Sequence, residues 1–108
     1  MNDDKLQLTI ARLSADYAAA LPGTVARMEA LWRRIVAAES PLSQLSELSR
    51  MAHGISGSGA TFGLAGASRA ARELETIVNR LQQGGTVPDQ TEQLRVAALF
   101  SALRQAAA

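Results

Sequence analysis

His53 is the only histidine of the chain, and it lies in Leu48-Ser49-Arg50-Met51-Ala52-His53-Gly54-Ile55-Ser56-Gly57-Ser58-Gly59. Apolar or small residues recur around it at Leu45, Leu48, Ala52, Ile55, Gly59 and Phe62. That spacing is the buried stripe of an amphipathic helix. At about 100° per residue, His53 stands roughly 200° from Ile55 and projects from the opposite face. One turn away on that face are Ser49, Arg50, Ser56 and Gly57. A titratable imidazole held on a stiff helix among small side chains is available for nucleophilic chemistry or for contact with another macromolecule. A lone surface histidine more often has no role, so the surrounding residues must decide. The run Gly57-Ser58-Gly59-Ala60-Thr61-Phe62-Gly63 spaces its glycines wrongly for a dinucleotide fingerprint, lacks the Gly-Lys pair of a phosphate loop and follows no strand. No carboxylate of the same helix shares the face of His53, so hydrolytic catalysis lacks a second group.

The elements that hold this histidine read as helices throughout, with no sustained two-residue alternation. Residues 5–20 carry Leu6, Ile10, Leu13 and Tyr17 at helical spacing behind the capping candidates Asn2, Asp3 and Asp4. Pro22-Gly23 interrupts that pattern and predicts a new or kinked helix, with Val25, Met28, Leu31, Trp32, Ile35 and Val36 on one side. Glu39-Ser40-Pro41 marks a turn in which Ser40 caps a helix entered at Pro41 and running to about Ala60, the helix of His53. Its glycines cost about 1 kcal/mol each relative to alanine unless a close neighbour or partner offsets that. Leu64, Ala67, Ala71, Leu74, Val78 and Leu81 form the stripe of a further helix ending at Gly84-Gly85. Arg69 and Glu73, and Arg72 and Glu75 or Thr76, fall on its wet side, mostly as solvated charges. Pro88-Asp89 opens the last helix, with Leu94, Ala97 or Ala98, Phe100 or Ser101, and Leu103 facing inward. The expected fold is all-α: an antiparallel four-helix bundle with an additional N-terminal helix, a single domain over 1–108.

Composition narrows the function. A chain of 108 residues supports one core. A net charge of +1 gives no electrostatic case for nucleic acid, and no apolar run is long enough for a membrane span. Without cysteine and with one histidine, thiolate and histidine metal sites are not expected. The acidic start at Asn2-Asp3-Asp4 is unlike a secretory signal, which points to a cytoplasmic protein, and the Ala-, Leu- and Arg-rich composition to a bacterial source.

Taken together, these residues resemble the signature of histidine-containing phosphotransfer domains. In that family the histidine is followed by Gly at four, Ser at five, Gly at ten, and Leu-Glu at 21 and 22 residues, positions filled here by Gly57, Ser58, Gly63, Leu74 and Glu75. Leu48 and Ala52 before the histidine also agree, and Tyr17-Ala18-Ala19-Ala20-Leu21-Pro22 looks like the usual N-terminal stretch. Two positions depart: the family commonly has Lys three after the histidine, where this chain has Ser56, and often Leu fourteen after, where it has Ala67.

The resemblance implies that His53 accepts a phosphoryl group through Nε2 from the aspartyl phosphate of a response-regulator receiver domain and passes it to another. A hybrid histidine kinase is a further implied partner, and the chain could be part of one. The receiver supplies the acidic pocket, its Mg²⁺ and a lysine, so no cofactor or metal is expected on this chain, nor any kinase or phosphatase activity of its own. The imidazole must be neutral at one nitrogen to attack phosphorus, which the ordinary ionisation of histidine near pH ~6.5 allows. In-line transfer needs room on both sides of the phosphorus, which Gly57 leaves open. Ser49 and Ser56 are the candidate hydrogen-bond donors to the phosphoryl oxygens, and Arg50 the candidate counter-charge. Gly54 and Ala60 are expected to meet the partner. The competing reading is a helical bundle that binds and sequesters a signalling partner without being phosphorylated; the missing Lys at Ser56 leans towards it, and His53, Gly57 and Gly63 lean away.

Overall fold

In the computed structural model, which describes residues 2–38 and 41–106, four helices follow one another: α1 (Asn2–Val36), α2 (Pro41–Thr61), α3 (Ala65–Gly84) and α4 (Gln90–Ala106). Among the described residues there is no strand. Each helix packs against its neighbours in sequence, and α4 closes the ring against α1. The short connections make the four antiparallel, the up-down arrangement expected of a bundle.

The expected additional N-terminal helix is not a separate element: α1 is one helix of 35 residues with Pro22 inside it. Proline removes one N–H and crowds the carbonyl four residues back, at a cost of about 3 kcal/mol in a helix interior. Here Pro22 sits on the exposed side, where water can reach the unpaired Ala18 carbonyl. Leu21, Val25, Met28, Trp32 and Ile35 are buried on the other side, and their burial holds both sides of the proline in one helix. The consequence at the other end is an arm. Leu6, Ile10 and Leu13, expected to face a core, are 57%, 47% and 47% exposed. At about 1.5 Å per residue, α1 is roughly as long as the 54 Å longest dimension of the whole molecule, so its first turns extend past the bundle.

The core is built from α2 and α3 as the periodicity predicts: Leu45, Leu48, Ala52 and Ile55 face Ala67, Ala71, Leu74, Val78 and Leu81, all buried. In α4, Phe100 and Leu103 face inward as expected, but the first half of the stripe differs, with Ala97 and Ala98 exposed. Val96, Leu99, Phe100 and Leu103 are buried, while Leu94 is 68% exposed. Starting the stripe at Leu94 placed it about 200° away from Val96, the true first inward residue.

The ends match the turn chemistry. Gly63 and Gly85 adopt positive φ of 81° and 61° after α2 and α3, the left-handed conformation glycine reaches without strain. Gly85 donates its N–H to the Leu81 carbonyl. Asp89 and Glu92 form a reciprocal cap at α4, each backbone N–H donating to the other's carboxylate at 3.0 and 2.8 Å. The predicted cap Ser40 lies outside the described residues.

Candidate functional site

α2 presents His53 on the face opposite Ile55, and its side chain is 79% exposed. The ring is nevertheless oriented: Nδ1 lies 2.9 Å from Oε2 of Glu75 on α3. An ionised carboxylate can only accept, so this contact places the ring proton on Nδ1 and leaves the lone pair of a neutral imidazole on Nε2.

The reach from α3 is set by helix packing. Glu75 follows the buried Leu74 and so sits at the edge of the α3 core stripe, facing α2. The two helices run antiparallel, and polar pairs step along their seam in register. Gln82 Nε2 donates to Ser46 Oγ at 2.7 Å, Ser49 Oγ to Asn79 Oδ1 at 2.7 Å, and Ser68 Oγ to the Ser56 carbonyl at 2.6 Å, with the His53–Glu75 contact between the last two. Gly59 allows this closeness: a Cβ there would stand 3.2 Å from both the Leu64 carbonyl oxygen and the Ser68 backbone nitrogen. Its helix-propensity cost is offset by that approach. Gly54 and Gly57 are different, because an added Cβ at either meets nothing within 4 Å. Both are exposed beside His53 and keep the approach to it low, as does the exposed Ala60.

The polar candidates divide. Ser56 is half-buried, one turn along α2 from His53. The Ser49 hydroxyl is directed to Asn79 rather than to the space over His53. Arg50 lies on the α1 side of the histidine, paired with Glu47 through Nη2 at 2.6 Å and Nε at 3.3 Å. The Glu47 hydrogen bond, with its charge, pushes the Arg50 guanidinium still higher than usual. On that side an open cleft runs between α1 and α2, lined by Tyr17, Ala20, Thr24, Arg27, Met51 and Gly54. Burial pushes the Tyr17 phenol up, and its ring stacks at a tilt on Phe62 with centroids 5.3 Å apart.

Sequence reasoning missed the role of Glu75, which it set among solvated charges although the Leu74-Glu75 pair was in view. The carboxylate that meets His53 comes from another helix, so inspecting one helical face could not find it. Asn79, one turn further along α3, was missed for the same reason. Among the described residues, no group of three or more His, Cys, Asp or Glu is placed to hold a metal ion.

The described residues thus present an exposed imidazole, oriented from a second helix and flanked by open glycines, on a four-helix bundle. The sequence matches the family model described as Hpt domain over residues 12–106. The chain belongs to the Hpt domain family. Searches of curated proteins and of solved structures gave no match. Hpt domains serve phosphotransfer in two-component signalling as phosphocarrier modules rather than catalysts, and engage receiver domains and histidine kinases. In this Hpt chain, no helix of the described residues is long and apolar enough to cross a membrane.

Proposed function

We propose that this Hpt domain is a phosphorelay intermediate in which His53 is the phosphorylated residue. The observation that carries the reading is the exposed imidazole with Nδ1 on Glu75 and Nε2 free. Nε2 attacks the phosphorus of a receiver's aspartyl phosphate; the N–P bond forms as the P–O bond to the aspartate breaks, and the carboxylate leaves with its electron pair. No proton need leave the ring, because the Nδ1 proton stays against Glu75, whose carboxylate offsets the positive charge of the phosphorylated imidazole. The reverse step on a second receiver returns the group to an aspartate. The receiver brings the metal and acid chemistry; this chain contributes a positioned nucleophile and room for in-line attack. It has neither kinase nor phosphatase activity of its own in this reading.

Gly54, Gly57 and Ala60 form the low surface on which the receiver seats, and the α1–α2 cleft borders it. Ser56, three residues along α2 from His53, is the candidate donor to the phosphoryl oxygens. Arg50 supplies counter-charge by turning from Glu47, since an exposed, solvent-screened pair of this kind exchanges partners easily. Ser49 acts indirectly, by tying α2 to Asn79. The departure at Ser56 favours the alternative, a bundle that binds a signalling partner without taking its phosphate.

The two readings separate when the full chain is incubated with receiver domains carrying labelled phosphoryl groups, beside a His53→Gln control. The carrier reading expects acid-labile label on the chain and none on the control. A receiver that binds tightly yet transfers nothing, with binding unaffected by His53→Gln, would leave the sequestering module in its place.

A further inference from the structure

The first turns of α1 leave the bundle and carry Leu6, Ile10 and Leu13, which remain exposed and which no other described residue covers. Leu6, Ile10, Leu13 and Tyr17 follow one another at alternating spacings of four and three, and continue the line of the buried Leu21, Val25 and Met28. The stripe on the arm is thus the core-facing side of α1 prolonged beyond the bundle. All residues from 3 to 13 are exposed. An isolated helix of this length is marginal in water and gains most from a partner along its apolar side. The family match begins only at residue 12, so most of the arm lies outside the shared domain.

We propose that the arm pairs with the arm of a second copy of this chain, antiparallel, about a two-fold axis near Ile10. The direction follows from where the bundle stands. Because the stripe faces the same side as the bundle, a parallel pair would drive both bundles into one space, whereas an antiparallel pair sends them to opposite ends. Centred on Ile10, the pair sets Leu6 of each copy against Leu13 of the other, so every exposed stripe residue gains an apolar partner. The charges agree. At about 100° per residue, Lys5 and Asp16 lie on the same flank of the stripe. In an antiparallel pair like flanks face each other, so Lys5 of one copy comes level with Asp16 of the other, twice by symmetry. The buried surface is short, a few side chains from each copy, below the size of a permanent interface, and so the dimer is reversible. His53 stays on the flank of each bundle, away from the paired arms.

Sedimentation and light scattering of the full chain, from micromolar to near-millimolar concentration, read the mass directly. The expected result is a concentration-dependent rise to twice the monomer mass, lost in Ile10→Gln. Lys5→Glu or Asp16→Lys alone should weaken association about two- to tenfold, and the double exchange should restore it. The native chain has no cysteine, so Ile10→Cys offers a single thiol; it should oxidise readily to a disulfide-linked dimer, while Leu6→Cys should not. A monomer at all concentrations would overturn the proposal, as would an arm ordered only by an added receiver domain. Preferential cross-linking of Leu6→Cys would overturn the antiparallel geometry. Label transfer to His53 is untouched by Ile10→Gln in either case, which keeps this test independent of the carrier function.

Discussion

At the scale of single residues, the contact between His53 and Glu75 decides how the imidazole behaves. A free histidine distributes its proton over both ring nitrogens and turns about χ1 and χ2; the carboxylate from α3 selects one tautomer and one orientation. Glu75→Gln keeps the size but can offer its N–H₂ to Nδ1, which favours the opposite tautomer. We expect phosphorylation of His53 to slow about tenfold, the lower end of the value of a hydrogen bond to a charged group because the imidazole is largely exposed. The loss should be seen with receivers and with a small-molecule phosphoryl donor alike, and ¹⁵N shifts of the ring should report the tautomer change. Unchanged shifts would remove Glu75 from the mechanism. The histidine itself was legible in the sequence because its own helix defines its face. The contact was not, since it depends on how far α3 lies from α2 and in which register, and no spacing within α2 encodes that.

Among the elements, α2 carries two kinds of glycine that the sequence does not distinguish. Gly59 is where the backbone of the α2–α3 junction approaches, and Gly57 faces open space. Gly57→Ala should therefore stabilise the fold by about 1 kcal/mol through helix propensity alone. Gly59→Ala should destabilise it by about 1–3 kcal/mol, since the atoms it meets are backbone and cannot swing aside. Thermal unfolding of the two variants checks this directly. A larger residue, Gly57→Leu, should leave stability close to that of the alanine variant while receiver-dependent transfer falls, because its side chain occupies the space the partner needs. Equal melting effects at positions 57 and 59 would refute the distinction. The helices of the bundle were readable from their periodicity, and α2 and α3 almost residue by residue. α1 was misread at Pro22 because propensity is local, whereas the burial of Leu21 and Val25 on either side of the proline is tertiary. The start of the stripe in α4 was misread for a related reason: alanines on both faces leave the apolar pattern ambiguous until α3 shows which side is covered.

For the molecule as a whole, α4 is fastened to the rest through its core residues and through ion pairs at its outer edges. Arg95 meets Glu73 on α3 through two hydrogen bonds, and Arg104 meets Glu29 on α1. The hydrogen bond from Arg95 holds the Glu73 carboxyl below the usual glutamate range. A carboxyl depressed on folding contributes stability that is fully present above its unfolded pKa and is lost as pH falls through the folded value. The α3–α4 edge should thus weaken on acidification through and below the ordinary glutamate range, and be insensitive to pH near neutrality. The side chains are exposed enough that solvent and salt screen the effect. The melting temperature should fall modestly with acid, and Glu73→Gln should flatten that dependence while lowering stability slightly at neutral pH. An acid profile identical in Glu73→Gln and the native chain would assign the loss to other carboxylates. Because the pair joins α3 to α4 while His53 is oriented across the seam of α3 and α2, the same substitution should leave label transfer at neutral pH unchanged. That separation would place this acid-sensitive contribution on one edge of α3 and the proposed chemistry on the other, so one helix can carry both without coupling them.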